Sequence, residues 1–468
     1  MTTSAMSSQQ QLFVNGAYVP SSHGATFPVY NPMTGSHIYD CASAGKSDYD
    51  NAIQAASIAF ESWSRIGPTA KRIIFLRAAD ILEKYMETEA PALMSAEVSA
   101  TPHWTKVNAV SAVGILREAA GIVSQIKGEI IPTDTAGTTA LVERQPLGVV
   151  FAISPWNAPA SLTARAIATP LICGNTVIHK PSESSPKSQN LVIHALHEAG
   201  LPPGCLNYLP TSPSSAPSLV EYAIKHPLIR HVNFTGSDRV GRTIASHAAT
   251  HLKRCVLELG GKAPVIVLDD SDIVHAVEAV VFGAMANAGQ VYMSTERVLL
   301  HESIASSFKD LLVRRVRALK VGNHEEDPDV SISGLFTPAS TKRVQGLLRD
   351  AVVSPDMEIF QRESFGPVVC LTTFSSDEEA ISLANNSEYS LSAAVFSKDV
   401  MRGLDIARRV RAGSCHVNNP SVYLANGMPN GGVGGSSGYG RFGGMAGVYE
   451  FTELKVISLG RTGTKFVF

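Results

Sequence analysis

The sequence predicts an α/β fold in which helices cover both faces of a parallel sheet. Between residues 149 and 268, short apolar, β-branched runs alternate with helical stretches bounded by Pro or Gly. The same alternation resumes from residue 271 to residue 419 and indicates a second α/β unit. Ligands on such sheets bind beyond the carboxyl ends of the strands, so we expect the chemistry in the loops that follow the strands.

The first 146 residues differ in texture from the rest. Apolar residues recur at helical spacing over 53–63, behind a predicted N-cap at Ser47 and Asp48, and again over 72–85. Two β-prone runs on either side of a Thr/Gly turn then predict a hairpin over 128–146.

The elements of both α/β stretches follow from the same patterns. Predicted strands cover 149–153, 176–179, 206–209, 229–234, 255–259 and 265–268, and predicted helices cover 160–172, 186–199 and 217–225. A helix over 273–287 opens the second stretch behind a cap at Asp270 and Ser271. The Gly-rich run 427–444 predicts a tight surface passage and not a regular element.

Composition excludes several classes of protein. The chain has 468 residues, 44% of them apolar and 17% charged, so it can bury a large core and is not a disordered chain. A formal net charge of −2 gives no basic footprint for nucleic acid, and no apolar run reaches the ~18–20 residues of a membrane span. The polar start lacks the layout of a secretory signal, which favours a cytoplasmic location.

Six cysteines are scattered along the chain. None forms a CxxC pair, so no zinc ribbon, thioredoxin-type site or other metal site is predicted. Scattered thiols in a large chain without a signal indicate an intracellular protein. Each cysteine can be interpreted as a small buried apolar residue.

Three motifs lie where predicted strands end. Gly236 and Ser237 leave room for a ligand in front of a helix N-terminus that can face a phosphate, although an ordinary strand-to-helix turn is the alternative. Lys180 and Glu183 offer a cation and a carboxylate to ribose hydroxyls, and the acidic residue favours NAD over NADP; a solvated ion pair is the alternative. Glu258 could act as a general base once burial raises its pKa, or could simply lead into a glycine turn.

Arg165 interrupts the apolar face of the predicted helix over 160–172. Its guanidinium could meet an acidic or phenolic group of a substrate. A solvent-exposed arginine is the simpler interpretation, and it is the one that the sequence alone favours.

Several motifs, taken together, resemble the aldehyde dehydrogenase family. In the family's order along nearly the whole chain, they are Phe13-Val-Asn-Gly16, Tyr30-Asn-Pro32, Pro155-Trp-Asn157, His179-Lys180-Pro181, Phe234-Thr-Gly236-Ser237, Leu257-Glu258-Leu-Gly-Gly-Lys262, Glu363-Ser-Phe365-Gly-Pro367 and Ser437-Gly-Tyr-Gly440. Further runs at 165–170, 293–297 and 439–444 are most similar to the branch that acts on salicylaldehyde and other aromatic aldehydes.

The resemblance implies a subunit of three parts that assembles as a homodimer or homotetramer. Residues 1–127 and 147–259 would form a Rossmann-like domain that binds NAD or NADP. Residues 260–448 would form the catalytic α/β domain, and 128–146 with 449–468 would form the oligomerisation segment. The expected partner is a small-molecule substrate.

Several positions match residues that hold the dinucleotide in the family, namely Trp156, Lys180, Glu183, Gly236, Ser237, Glu363 and Phe365. In the family, the residues matched by Lys180 and Glu183 hold the adenosine ribose, and the one matched by Ser237 contacts the pyrophosphate. Glu363 matches the carboxylate on the nicotinamide ribose, and Phe365 matches a residue packed near that ring.

The catalytic centre departs from the family pattern at one position. Asn157 matches the side-chain donor of the oxyanion hole, and Glu258 matches the base that activates water. The segment that resembles Gly-Gln-x-Cys reads Gly289-Gln-Val-Tyr292, so a tyrosine stands where the family has its nucleophilic thiol. A phenol, with a reference pKa of about 10 and a bulky ring, is a poor substitute in a reaction that needs a thiolate. Cys255 should point to the opposite face of its strand from Glu258.

Two further departures lie in the catalytic region. The family's Pro-Phe-Gly-Gly reads Pro429-Asn430-Gly-Gly432, which exchanges an aromatic wall for an amide. Between Val353 and Ser354 the chain lacks a segment of the family pattern, so we expect a shortened catalytic domain there. An error in the assignment of an exon would explain this gap but not Tyr292.

Three hypotheses remain open. The first is a reductase, suited to specialised metabolism, that transfers hydride from NAD(P)H to a carbonyl, imine or conjugated alkene. Tyr292 would donate the proton, Asn157 would polarise the acceptor, and Glu258 would orient the substrate or relay a proton. The second is a dehydrogenase that oxidises an aromatic aldehyde by a modified mechanism, with another nucleophile or a hydrated aldehyde. The third is a non-redox or inactive descendant in which Tyr292 plugs the tunnel.

Overall fold

The computed structural model describes residues 9–350 and 357–462. Numbered along the chain, its strands are β1 (Gln9–Gln10), β2 (Leu12–Val14), β3 (Ala17–Val19), β4 (Thr26–Tyr30), β5 (His37–Ala42), β6 (Glu129–Pro132), β7 (Thr139–Pro146), β8 (Val149–Ile153), β9 (Thr176–Lys180), β10 (Leu206–Tyr208), β11 (Ile229–Thr235), β12 (Arg254–Glu258), β13 (Ala263–Val267), β14 (Thr295–His301), β15 (Cys370–Phe374), β16 (Ser392–Phe396), β17 (Ser414–Val417), β18 (Gly438–Tyr439) and β19 (Thr452–Leu459). Its helices are α1 (Lys46–Trp63), α2 (Pro68–Thr88), α3 (Ala90–Val98), α4 (Pro102–Ile122), α5 (Pro159–Ile172), α6 (Pro186–Glu198), α7 (Ala216–Lys225), α8 (Asp238–Thr250), α9 (Ile273–Met285), α10 (Ala305–Arg317), α11 (Pro338–Asp350), α12 (Glu358–Gln361), α13 (Asp377–Asn385), α14 (Val400–Arg409) and α15 (Gly444–Glu450). The elements predicted between residues 149 and 285 are all present, and their ends differ from the predicted ones by at most two residues.

The first large sheet has eight strands in the order β18-β12-β11-β8-β9-β10-β2-β3. The five strands from β12 to β10 are parallel, and the flanking strands are antiparallel to their neighbours. Successive residues of β8 pack on opposite faces of the sheet. Phe151 packs in a hydrophobic cluster with residues of α1, and Val150 packs in another hydrophobic cluster with residues of α5. Helices therefore cover both faces, as an unbroken apolar run predicts.

The second large sheet is fully parallel, in the order β15-β14-β13-β16-β17. Val265 and Val267 of β13 pack in a core with α9 and α10, whereas Ile266 packs in a core with α13 and α14. The two large sheets with their helices confirm the predicted α/β class.

A third sheet, β19-β7-β6, is antiparallel. It contains the hairpin predicted over 128–146, and it also brings that hairpin beside the C-terminal strand β19. Apolar side chains of this sheet are open to solvent, with Ile130 73%, Val456 66% and Leu454 59% exposed. A small sheet of β1, β5 and β4 completes the fold.

Both predicted helix caps are wrong, because each helix is capped one to three residues away from the predicted positions. Helix α1 begins behind Gly45, and the carboxylate of Asp48 accepts a hydrogen bond of 2.8 Å from the Gly45 N–H. Helix α9 is capped by Asp272, which accepts from the His275 N–H. Asp270 instead accepts from the Asp399 N–H, a residue distant in sequence that only the fold brings near.

The Gly-rich run 427–444 is only in part the surface passage that its composition predicts. Asn430, Ser436 and Ser437 are buried, and β18 pairs with β12 at the edge of the first sheet. Gly438 has φ +77°, and a Cβ atom there would lie 2.1 Å from the Leu257 carbonyl oxygen. Glycine is required because the segment packs against the sheet backbone.

One helix within the described residues, Pro102–Gln125, is long and apolar enough to cross a membrane by length and composition. Sequence inspection misses it because polar residues such as Asn108 interrupt its apolar run. Half of the apolar window is buried inside the protein, where α4 packs against α2 and α5. This is the pattern of a core helix.

Candidate active site

The carboxyl ends of four parallel strands of the first sheet meet along one edge. Thr235 at the end of β11 stands beside Glu258 at the end of β12, and Ile153 at the end of β8 stands beside Lys180 at the end of β9. One cavity of about 1340 Å³ runs along this edge. Its lining includes Trp156, Asn157, Lys180, Glu183, Gly236, Ser237, Glu258, Tyr292, Glu363 and Phe365. The structure thus brings together these ten residues that the sequence singled out.

Tyr292 lies in a buried cluster of polar side chains at this cavity. Arg165 Nη1 donates a hydrogen bond of 2.6 Å to Tyr292 Oη. The Tyr292 hydroxyl lies 3.5 Å from Glu258 Oε2, and so does Arg165 Nη1. Asn430 Nδ2 donates to the other oxygen of Glu258 at 2.6 Å. Both carboxylate oxygens of the fully buried Glu258 therefore have donors.

Burial dominates the protonation of this cluster. Burial raises the pKa of the Tyr292 phenol above its usual value, and the nearby charge of Arg165 acts in the opposite direction. Burial also raises the pKa of Glu258, and Arg165 and Asn430 oppose that rise. Although burial lowers the pKa of Arg165, Tyr292 and Glu258 raise it above its usual value. The phenol is therefore protonated at neutral pH beside a permanent cation.

The sequence interpretation of Arg165 as a solvent-exposed residue is wrong. Its side chain is buried, because α5 packs between the first sheet and α4 and leaves little of its surface to solvent. Arg165 and Asn430 line a second cavity of about 30 Å³, which Glu118 and Met428 also line. That volume corresponds to about one water molecule. Tyr292 and Glu258 line the large cavity, so the cluster stands between the two.

Asn157 is held from several sides. Its side-chain Nδ2 donates to the Gln290 carbonyl at 2.9 Å, and its backbone carbonyl accepts from Trp104 Nε1 at 2.8 Å. The side-chain amide has a second N–H, which can serve as a donor toward the cavity.

The other end of the cavity carries the Lys180–Glu183 pair. The Lys180 ammonium is nearly buried, donates to the Pro181 carbonyl at 3.0 Å and lies 3.9 Å from Glu183 Oε2. Between the two ends, the Trp156 ring stacks on Phe336 with centroids 4.0 Å apart and meets the Phe365 ring edge-on at 6.2 Å. Phe336 was not identified from the sequence.

Glu363 and Phe365 form the opposite wall. Glu363 Oε1 accepts from the Gly261 N–H at 3.0 Å. Burial, and after it the negative charge of Glu296, raises the pKa of Glu363. Phe365 has φ +44°, a left-handed conformation that is uncommon for a bulky residue. Sequence inspection missed Glu296, because the residues it contacts, Ser364 and Phe365, are 68 and 69 residues further along the chain.

The cavity is larger than most small-molecule sites, and two glycines beside it leave no room for a side chain. Its volume exceeds the ~300–1,000 Å³ common for small-molecule sites. A Cβ atom on Gly236 would lie 2.4 Å from the Phe234 ring, and one on Gly260 would lie 2.6 Å from the Glu363 carboxylate. Side chains at these two glycines would therefore displace groups that line the cavity. The fold and this cavity together define an α/β protein with a large ligand site at the carboxyl ends of its parallel strands.

The sequence profile of the aldehyde dehydrogenase family matches residues 18–354 and 351–457, so the chain belongs to the aldehyde dehydrogenase family. The two matches meet where the sequence predicts a missing segment, and that point lies outside the residues the structure describes. Members of this family are NAD(P)-dependent oxidoreductases, and the chain is an enzyme of that fold and class.

Known proteins resemble the chain over nearly its whole length. Vanillin dehydrogenase from Pseudomonas sp. (strain HR199 / DSM 7063) is 42% identical, and the match covers 96% of this chain and 97% of that protein. The structure of a salicylaldehyde dehydrogenase from Pseudomonas putida G7, complexed with salicylaldehyde, is 40% identical with a TM-score of 0.96 and covers 98% of this chain and 100% of that one. A betaine aldehyde dehydrogenase from Staphylococcus aureus in complex with NAD+ is 28% identical with a TM-score of 0.92, covering 98% and 96%.

Proposed function

We propose that this protein is an NAD(P)H-dependent reductase of a small carbonyl, imine or conjugated alkene, with Tyr292 as the proton donor. One observation carries the proposal: Tyr292 lines the large cavity, and its hydroxyl accepts a 2.6 Å hydrogen bond from a buried arginine. Burial raises the pKa of this phenol, so it holds its proton at neutral pH, and the Arg165 cation opposes that rise by stabilising the phenolate that proton donation would leave.

The thiol chemistry of the family has no candidate nucleophile here. We infer that Tyr292 occupies the position of the family's cysteine, from the match of Gly289-Gln-Val-Tyr292 to the Gly-Gln-x-Cys pattern. All six cysteines are described, and none of them lines the large cavity. Cys255 Sγ lies 3.0 Å from Tyr439 Oη and makes no contact with Glu258 among the bonds described.

The dinucleotide is proposed to lie along the cavity from the Lys180–Glu183 pair to Glu363. Lys180 and Glu183 would hold the adenosine ribose, and Gly236 with Ser237 would face the pyrophosphate at the N-terminus of α8. Glu363 would accept from the nicotinamide ribose, with Trp156 and Phe365 against the ring. The carboxylate of Glu183 favours NAD over NADP.

The residues of the cluster then have separate tasks in the reduction. When bound, the reduced dinucleotide supplies the hydride that forms the new C–H bond. Asn157 would donate its free amide N–H to the acceptor atom and polarise the double bond. Tyr292 would give its proton to that atom as the π electrons move onto it, and Arg165 would stabilise the phenolate. Solvent restores the proton, for which Glu258, 3.5 Å from Tyr292 Oη, can act as relay.

The test is turnover of NADH and NADPH with aromatic and conjugated acceptors, compared between the protein and Tyr292→Phe. Proton donation contributes about 10²–10⁴-fold to rate, so we expect a loss in that range while NADH binding stays intact. Turnover in Tyr292→Phe equal to that of the natural sequence would refute the role of Tyr292. Absence of dinucleotide binding by calorimetry would refute the reductase and favour a non-redox descendant.

A second candidate is oxidation of an aromatic aldehyde to its acid, which the vanillin and salicylaldehyde dehydrogenases among the relatives favour. Without a thiol, the hydrated aldehyde would lose a proton to Glu258 and hydride to NAD+, which yields the acid directly. Product analysis separates the candidates, since NAD+ and vanillin give vanillic acid only in the second. Persistence of that activity after alkylation and in Cys255→Ala would exclude a cysteine nucleophile.

We also propose the division of the chain that the resemblance implies. Residues 1–127 and 147–259 would bind the dinucleotide, and residues 260–448, shortened near 353–354, would supply the rest of the catalytic site. The segments 128–146 and 449–468, which share the exposed sheet β19-β7-β6, would join subunits into a homodimer or homotetramer. The protein is proposed to be cytoplasmic.

A further inference from the structure

A buried ion pair lies behind the wall that carries Glu363 and Phe365. Lys262 Nζ is 2.6 Å from Glu296 Oε2, and the two side chains are 0% and 2% exposed. Lys262 also donates to Ser364 Oγ at 2.9 Å. Fully buried lysine and glutamate are rare unless they are paired, so this pair has a specific structural role.

The carboxylate of Glu296 holds the backbone of the wall. Its Oε2 accepts from the Ser364 N–H at 2.7 Å, and its Oε1 accepts from the Phe365 N–H at 3.0 Å. Both oxygens are thus used by successive amides of the segment. Hydrogen bonds to a charged acceptor are about twice as strong as neutral ones, which can stabilise the left-handed Phe365.

The same segment is held on its other side by Arg343 of α11. Arg343 Nη1 donates to the Glu363 carbonyl at 2.8 Å, and its Nη2 donates to the Ser364 carbonyl. The Glu363 carboxylate is fixed by the Gly261 N–H. The amides of Ser364 and Phe365, the carbonyls of Glu363 and Ser364, and the Glu363 carboxylate therefore each have a hydrogen-bond partner.

We infer that Glu296, held by Lys262, is a positioning residue that fixes Glu363 and Phe365 for the nicotinamide half of the dinucleotide. The inference rests on the proposed function in one respect, since it takes Glu363 as the contact to the nicotinamide ribose. Glu296 does not line the cavity among the described residues. It contacts the backbone of Ser364 and Phe365, and none of its described bonds reaches the Lys180–Glu183 end of the cavity.

The test compares binding of NADH, which has both halves of the dinucleotide, with binding of ADP, which lacks the nicotinamide ribose. NADH binding is followed by its own fluorescence and ADP binding by calorimetry. In Glu296→Gln we expect the dissociation constant for NADH to rise about tenfold, as for loss of one hydrogen bond to a charged group, and that for ADP to stay within about twofold. Fluorescence of the bound NADH should also shift toward that of free NADH.

A second variant is needed because Glu296→Gln leaves Lys262 buried without a counter-charge, which could destabilise the fold. The double variant Lys262→Met, Glu296→Met removes both charges yet leaves the two amides without an acceptor, and we expect the same selective loss of NADH binding. The matched control is Glu97→Gln, a buried carboxylate that also accepts from two successive amides, those of Lys187 and Ser188. In this control, the dissociation constant for NADH should not rise unless that for ADP rises as well.

The outcomes separate the inference from the proposed function. If Glu363→Gln weakens NADH binding while both Glu296 variants leave it unchanged, or weaken ADP equally, the positioning role is wrong and the cofactor assignment stands. If Glu363→Gln has no effect, the assignment of Glu363 is wrong, and the inference fails with it. If the protein binds neither NADH nor NADPH, the proposed function itself is overturned.

Discussion

Arg165 and Tyr292 form a close polar contact in the cluster at the cavity, with 2.6 Å between the guanidinium Nη1 and the phenol oxygen. Both side chains are buried, and Glu258 lies 3.5 Å from each. One cation therefore faces one carboxylate and one phenol with little water to screen them. The hydroxyl cannot change its charge without a response from the other two groups.

Replacing Arg165 by Met is expected to lower turnover about 100-fold, because the phenolate left after proton donation loses its stabilising cation. The dissociation constant for NADH should change little, since Arg165 does not line the large cavity among the described residues. The variant also leaves Glu258 buried without a cation, so the midpoint of thermal unfolding should fall.

Steady-state kinetics and NADH fluorescence check this prediction, with Arg165→Lys as the matched control. Lysine keeps the charge and should restore part of the turnover. Equal turnover in the Met variant and the natural sequence would show that the cation does not assist Tyr292. Equal loss in the Met and Lys variants would point to packing and not to charge.

Cofactor preference is expected to depend on Glu183. A carboxylate that accepts from the ribose hydroxyls repels a 2′-phosphate, so Glu183→Gln should shift the ratio of the dissociation constants for NADPH and NADH toward NADPH by about tenfold. Calorimetry with both cofactors measures that ratio, with the neighbouring Ser184→Ala as control. An unchanged ratio would mean that Glu183 does not face the 2′ position.

The sheet β19-β7-β6 is expected to join subunits. Leu454 and Val456 share one face of β19 and are 59% and 66% exposed, which is unfavourable unless a second copy covers them. The double variant Leu454→Glu, Val456→Glu should reduce the mass in light scattering to a smaller assembly. Lys455→Glu, which faces the other way, should keep the original mass. A natural chain that is monomeric would contradict the prediction directly.

Local sequence patterns were sufficient to predict the helices and strands. They did not predict contacts between residues that are distant in sequence. The run of residues in β8 predicts a buried strand because every side chain there is apolar, and the two α/β units follow from such runs. Arg165 was misjudged because a helix pattern shows which side faces the core but not which polar partner is buried with it. Its partners Glu258 and Tyr292 are 93 and 127 residues away in sequence.

The same limit applies to the candidate site. Residues at strand ends could be selected in advance, since parallel strands place those ends together, and the structure does gather them at one cavity. The ion pair of Lys262 and Glu296 could not be selected in advance, because nothing in the sequence distinguishes either residue from an ordinary surface charge. Nor does spacing reveal that Asn430, in a Gly-rich run, donates to Glu258.

Stability in acid is expected to depend on His231 of β11. Its ring is fully buried, packs 4.9 Å from the Phe451 ring and has no hydrogen-bond partner on either nitrogen among the described residues. Burial, helped by the charge of Arg254, lowers its pKa from 6.5 to about 3. The folded state thus holds a neutral ring that the unfolded chain would protonate below pH 6.5. The stability this gives is complete above that pH and is lost as pH falls toward 3.

Between pH 7 and pH 5, His231 should therefore cost the folded state about 2 kcal/mol. In His231→Met that contribution disappears, so the loss of stability over this interval should be about 2 kcal/mol smaller than in the natural sequence. Urea unfolding at the two pH values measures the difference directly. Some acid sensitivity should remain in the variant, because it still contains His179. Burial lowers the pKa of His179 to about 3 as well. The exposed His251→Met serves as control and should behave as the natural chain does. An identical loss in all three proteins would mean that His231 is not buried as a neutral ring.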